Sequence, residues 1–323
     1  MVLTILALVA AAAVRNTGIL ICFLCVYAAI WLFPVRSNRT VFAVKGILSI
    51  LLAVLIAGAQ LKNRNADNEI MAVHFLDVGQ GDSTLIVLPD GKTVLIDGGT
   101  QDAAEAVIHE LNRFGVTRID CLIGTHPHAD HVGSFPVLME KLQIANYIIP
   151  DVGDFDLSGN ALHRIVSDAA KQNDIPVCEV SAGMTLLEKD DYSLRVLSPR
   201  ENAGFEDLND FSLILKLNYK ETAFLFPGDA GYTAELEILD EDLSCDVLKV
   251  GHHGSFGSTC AAFLEAADPE IAVISVGKDN EHNLPNDYVL ECLDEKGITL
   301  FRTDEDKTVS IYSDGFHVSP ATP

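Results

Sequence analysis

The stretch THPHADHVG, residues 125–133, places His126, His128, Asp130 and His131 within six consecutive positions. Neutral imidazole is the commonest protein ligand of first-row metals, and carboxylate oxygen is a frequent partner. Four ligand-type side chains this close together are hard to explain by packing. The stretch follows Ile119–Gly124, a short apolar run that reads as a buried strand, and ends in Gly133, so the cluster sits in a loop where a strand stops. In such a loop His126 and His128 can turn towards one ion while Asp130 and His131 turn towards its neighbour.

Two further strand ends carry the same residue types. Asp229 follows TAFLFP in a PGDAG turn (227–231), where a carboxylate can bridge two cations. His252 and His253 follow DVLKV in GHHGS (251–255), and at least one of them could complete the second ion's shell. An Asp after a Gly is usually a turn former, so each is weak alone. Three such strand ends in one chain are far more informative than any one.

Around these segments the pattern alternates. Ala72–Val78, Thr84–Leu88 and Thr93–Ile96 read as strands punctuated by GQGD and PDGK; Ser212–Leu217 and Thr222–Phe226 read as a hairpin over NYKE. Ala103–Phe114, Ala161–Lys171, Tyr232–Leu239, Ala261–Ala267 and Asp287–Lys296 carry helical spacing; Asp246–Val250, Ile271–Val276, Thr299–Arg302 and Thr308–Tyr312 read as strands. Two packed sheets with helices outside are the expected α/β architecture.

The first 65 residues differ in kind: they contain no Asp or Glu and three apolar runs. A membrane span needs about 20 apolar residues. Val41–Leu61 meets that length and Ile19–Phe33 approaches it. Residues 1–65 are therefore expected to form a membrane anchor of two or three hydrophobic segments, and residues 66–323 the domain that carries the ligand-type cluster. Arg36, Arg39 and Lys45 favour a cytoplasmic loop between the last two runs, which places the domain on the extracytoplasmic side of the cell membrane; Lys62 and Arg64 pull the other way. All 46 acidic residues and 16 of the 22 basic ones lie beyond position 65, a formal charge of −30. Such a surface repels phosphate backbones, so a nucleic-acid role needs a local site or bound cations. The seven scattered cysteines suggest neither a disulfide framework nor a thiolate cluster, and most read as small buried residues.

His126, His128, Asp130 and His131 match the HxHxDH motif of the metallo-β-lactamase superfamily. HFLDVGQGDSTLI (74–86), VLIDGG (94–99), NDFSLIL (209–215), FLFPGD (224–229) and LKVGHHGS (248–255) together resemble the hydrolase domain of the ComEC competence proteins. The resemblance covers about residues 70–315, and the hydrophobic N-terminus is similar to, but far shorter than, the membrane part of those proteins. It implies a four-layer αββα sandwich preceded by transmembrane helices, with two divalent metal ions, Zn2+ or Mn2+, at one edge.

On this reading His126, His128, Asp130, His131, Asp229 and His252 are metal ligands, and Asp97 supports the metal loop from behind. Asp130 also orients the attacking hydroxide, while His253 and Ser255 contact the substrate anion. Many superfamily members give the first ion a third histidine. Here Asn209 or Asp210 stands where it is expected, and an oxygen donor there favours manganese over zinc. His163 falls in a helix, where a surface or core role is expected. A Gly-His-Pro element often present in ComEC-like proteins is NEHNLPN (280–286), with Leu284 at the histidine position and His282 displaced by two. The implied function is a metal-dependent phosphodiesterase or nuclease acting on single-stranded DNA during DNA uptake. The alternatives are a small-molecule hydrolase for a lactone, thioester or β-lactam, and a catalytically weak accessory module of a DNA-uptake machine.

Overall fold

Side-chain parity along the strands builds the architecture. In Thr93–Ile96, Val94 and Ile96 enter one apolar cluster and Leu95 another; in Cys121–Ile123, Cys121 and Ile123 face the first and Leu122 the second. On the other side of that shared cluster, Phe224, Phe226, Val247, Ile271 and Val273 point inward, while Leu225, Leu248, Ala272 and Ile274 enter a third cluster. Strands buried on both faces need apolar residues at both parities. The chain supplies them, and the result is two sheets packed face to face with helices outside each.

The structure, a computed structural model, describes residues 69–321. The membrane anchor expected over residues 1–65 lies outside them; among the described residues no helix is long and apolar enough to cross a membrane. One sheet has eight strands, ordered Val318–Pro320, Val309–Ser313, Met71–Phe75, Thr84–Val87, Thr93–Ile96, Cys121–Ile123, Tyr147–Pro150 and Val177–Val180. The second has seven, ordered Thr299–Arg302, Ile271–Ile274, Val247–Lys249, Thr222–Phe226, Ile214–Tyr219, Tyr192–Ser198 and Thr185–Lys189. Helices Ala104–Arg113, Phe135–Lys141 and Ala161–Gln172 cover the first; Tyr232–Glu237, Ala261–Ala267 and Asp287–Glu295 cover the second. This is the expected αββα sandwich.

Some local readings shift. The strand expected to reach Val78 ends at Phe75, because the chain turns there and Leu76 N–H donates to Ser83 O at 2.9 Å. The hairpin turn is Lys220–Glu221 alone, with Lys220 at φ 51°, since Tyr219 pairs directly with Thr222. Helix Phe135–Lys141 and strand Tyr147–Pro150 lie in short apolar segments where length and periodicity point to no element. Among the five described cysteines, all free, Cys178 is exposed rather than buried.

The loop after His253 is held from the helix side. Buried Glu235, on Tyr232–Glu237, accepts from Thr259 N at 2.5 Å and Cys260 N at 2.8 Å, tying Ser255–Cys260 to the outer layer. Burial pushes its carboxyl from 4.5 up to about 7, against the pull of the Cys260 and Thr259 N–H groups. The folded state thus holds this proton more tightly than the unfolded state, a contribution fully present below pH 4.5 and lost as pH rises to about 7. Denaturant unfolding of Glu235→Gln should therefore give a deficit relative to wild type that is larger at pH 5 than at pH 7.5. In the shared core Phe75 meets Phe226 at a centroid distance of 6.2 Å, and Phe75→Ala should cost about 3–5 kcal/mol in the same measurement.

Candidate metal centre

Strands Thr93–Ile96 and Cys121–Ile123 are parallel, as are Thr222–Phe226, Val247–Lys249 and Ile271–Ile274. Parallel strands finish at a common end. Past those ends stand Asp97, Thr125 with His126, Asp229, His252 with His253, and Ser275. Leu213 N–H donates to Thr125 O at 3.0 Å and ties the two sheets together there.

Asp97, at φ 57°, is a non-glycine residue in the left-handed region. Its Oδ1 accepts from Thr125 N at 2.9 Å; its Oδ2 accepts from Thr125 Oγ1 and meets His131 Nδ1, both at 2.8 Å. With Nδ1 held from behind, His131 presents Nε2 to Asp229 Oδ2 at 3.1 Å and to Asp130 Oδ2 at 4.0 Å. His253 repeats the arrangement: Nδ1 meets Ser275 O at 2.9 Å and Asp82 Oδ1 at 3.2 Å, and Nε2 faces Asp130 Oδ2 at 3.3 Å and Asp229 Oδ2 at 3.5 Å. One donor atom from each of Asp130, His131, Asp229 and His253 lies within 4.8 Å of the others. His131 Nε2, His253 Nε2 and Asp229 Oδ1 are buried with no hydrogen-bond partner. Such orphans are rare and ask for a reason. Two imidazole nitrogens and two carboxylates, each imidazole backed by an acceptor on Nδ1, are a donor set that fits a divalent first-row ion.

The charges agree with that fit. Burial disfavours cationic His131, but the Asp229 and Asp97 carboxylates outweigh it and hold the pKa well above the ordinary value. Burial likewise opposes cationic His253, yet Asp229 and Asp82 carry it to about 10. Asp229, although buried, is held well below the usual carboxylate range by His131 and His253. The rings and the carboxylates favour one another's charged forms, and a divalent ion held there would take the place of protons on the rings.

His126 and His128 form a separate pair, Nε2 to Nδ1 at 2.9 Å. Nitrogens bound to one tetrahedral ion at 2.0–2.1 Å are about 3.3 Å apart, so the pair is close to a ligand spacing. Thr125 Oγ1 and Ser212 Oγ, each 3.2 Å from His126 Nδ1, orient the ring. Asp210 does not join them: its Oδ1 accepts from Gly231 N at 3.0 Å, at the start of the Tyr232–Glu237 helix. Asn209 Oδ1 is buried without a partner. Ser212, two residues beyond Asp210, is the NDFS residue that reaches the site, and Asp229 N–H donates to its hydroxyl at 3.1 Å.

The histidine pair in GHHGS divides differently from the sequence expectation. His252 and His253 have φ of 47° and 53°. His253 is the ring turned inward to the four-donor group; His252 is half-exposed, with Nε2 3.6 Å from Asp229 Oδ2, outside that group. Ser255 Oγ accepts from Gly257 N within its own loop. His282 is exposed, its N–H given to Asn280 Oδ1. Half-buried His163 lines a cavity of about 120 Å³ together with His126, Tyr147 and Glu179. Asp82, Ser212, Lys249 and Ser275 are absent from the sequence expectations. The signals for Asp82 and Lys249 were GQGD and LKVGHHGS, where Asp82 reads as turn punctuation and Lys249 as one position of the strand Asp246–Val250.

Asp97→Asn turns an acceptor-only group into one bearing an NH2 opposite Thr125 or His131. Zinc affinity of the metal-stripped chain, measured by competition with a chelating dye, should fall about 10- to 100-fold.

Residues 76–163 match the family described as the metallo-beta-lactamase superfamily. The chain is 30% identical over 256 residues to ComE operon protein 3 of Bacillus subtilis (strain 168), covering 73% of this chain and 32% of that protein. It is 30% identical over 237 residues to competence protein ComA of Neisseria gonorrhoeae, covering 72% and 31%. The chain thus spans about a third of the length of these relatives. Among solved structures, a mutant of the CmlA beta-hydroxylase aligns over 74% of this chain and 53% of its own, at 14% identity and a TM-score of 0.49. With the HxHxDH loop, the family match over residues 76–163 and the two relatives together, the chain carries a metallo-β-lactamase superfamily domain that is ComEC-like.

Proposed function

We propose that the chain is a membrane-anchored, metal-dependent phosphodiesterase that cleaves single-stranded DNA during DNA uptake, with residues 1–65 as anchor and residues 66–323 as an extracytoplasmic hydrolase domain. The observation that carries the reading is the convergence of Asp130, His131, Asp229 and His253, two imidazoles and two carboxylates with unpartnered buried atoms. The similarity to a protein named for competence supports DNA as the substrate. In this proposal the four-donor group would hold one ion, and His126 and His128, with Asp229 as a further donor, would hold a second, Zn2+ or Mn2+ in each case.

Divalent ions in such a site acidify a water and neutralise charge that develops on a phosphoryl oxygen, and they supply positive charge that a domain of formal charge −30 otherwise lacks there. The residues divide the remaining work. Asp130 is the one member of the group whose side chain reaches the surface, 33% exposed, and its carboxylate would orient the attacking hydroxide. Asp97 and Ser275 fix the rings of His131 and His253 from behind. His252, half-exposed at the mouth, contacts the substrate anion, a role that inward-facing His253 is not free to take.

The test is cleavage of a fluorescent single-stranded oligonucleotide by the full chain with added manganese or zinc. Metal-dependent cleavage should be lost by about 100-fold or more in Asp130→Ala. Untouched DNA with turnover of a chromogenic β-lactam or lactone would assign a small-molecule hydrolase instead. DNA binding without any turnover would leave an accessory module.

A further inference from the structure

We infer that Lys249 and Asp82 form a buried positioning pair: Asp82 holds His253 in its metal-facing orientation, and the Lys249 ammonium serves as a built-in cation behind the site. This rests on the metal-dependent reading above.

Lysine is almost never fully buried unless paired, yet Lys249 and Asp82 are each only 3% exposed. Strand parity sends Lys249 inward. It ends strand Val247–Lys249, where Val247 faces the inter-sheet core and Leu248 the outer layer. Asp82 arrives from the opposite sheet on the GQGD loop. Gly81, at φ 136°, makes that approach possible, because a Cβ there would lie 2.3 Å from Asp130 O. Asp82 N–H donates to Asp130 O at 3.0 Å, and Gly99 N–H donates to Asp82 O at 2.8 Å. The loop is therefore stitched to the segment bearing Asp130 and to the one bearing Asp97.

The Asp82 carboxylate then has two jobs. Oδ2 forms an ion pair with Lys249 Nζ, and Oδ1 stands 3.2 Å from His253 Nδ1. Ser275 O takes the Nδ1–H of His253 and sets its tautomer; Asp82 adds a buried carboxylate beside that N–H, which stabilises the same ring orientation and raises the basicity of the ring. Asp82, Asp97 and His131 also present three mutually close donor atoms that by residue type could hold an ion. That position is not open. The ammonium of Lys249 already stands on Asp82, and the Asp97 oxygens are engaged by Thr125 and His131. Without Lys249, Asp82 would be a buried carboxylate beside Asp97 that shares only the His253 ring with Asp130 and Asp229, and removing one partner from a buried pair in this way is costly.

The experiment compares zinc affinity of the metal-stripped full chain, by chelator competition, with the visible spectrum of its cobalt form and its thermal midpoint, in wild type, Asp82→Asn, Lys249→Met and the double variant. Each single change should lower the thermal midpoint and weaken zinc binding about 10- to 100-fold. The double variant, with no charge left buried alone, should recover the midpoint but neither the affinity nor the cobalt spectrum. Where a single variant fails to fold, the double variant carries the comparison. Wild-type affinity and spectrum in the double variant would overturn the positioning role and leave the pair merely structural. Failure of the wild type itself to bind zinc or cobalt would instead sink the metal-dependent reading.

Discussion

Four carboxylates, Asp82, Asp97, Asp130 and Asp229, meet at one end of two packed sheets, and three of them are buried. Removing a carboxylate from water is costly unless opposite charge and hydrogen bonds replace the lost hydration. Much of the surrounding geometry answers that requirement. Thr125 gives both its N–H and its hydroxyl to Asp97; His131 and His253 each lie between two acidic groups; Lys249 is drawn to Asp82 across the interface. The orphan atoms of His131, His253 and Asp229 mark a point where hydrogen bonds within the described residues do not complete that replacement.

The sandwich makes the cluster possible because a single apolar layer holds two sheets with their parallel strands ending together. Each strand end contributes one or two polar residues, and the next loop begins there. Sheet registry therefore determines site geometry: Asp97 N–H still bonds to Ile123 O at 2.8 Å, one step past the last residues of the paired strands. Left-handed backbone at Asp97, His252 and His253 turns side chains out of the strand direction into the shared space. Such conformations cost energy locally and persist where surrounding packing holds them.

Much of this was legible in the residues themselves. The HxHxDH spacing, the apolar strand before it and the recurrence of Asp and His after other strands indicated a metal-type cluster at one edge. Alternating parity and helical spacing indicated two sheets covered by helices. The less legible parts are those whose signal is ordinary. Asp82 sits in a Gly-rich turn, where Asp is common for purely local reasons. Asp210 had the right residue type, yet its carboxylate is spent on the start of a helix, while Ser212, a weaker candidate by type, reaches His126. Helix Phe135–Lys141 is too short and too uniformly apolar for periodicity to reveal.

The residues alone determined the layers, because burial on both faces of a strand is written in which positions are apolar. They also determined that ligand-type side chains gather at strand ends. Only tertiary structure decided which of those side chains meet. His252 and His253 are adjacent and identical in type, and the choice between them lies in two backbone dihedrals and in where Asp82 and Ser275 stand. Lys249 reads as an ordinary charged residue until the GQGD loop of the other sheet is laid against it. Contacts between residues 167 positions apart depend on how two sheets pack, and no local pattern encodes that.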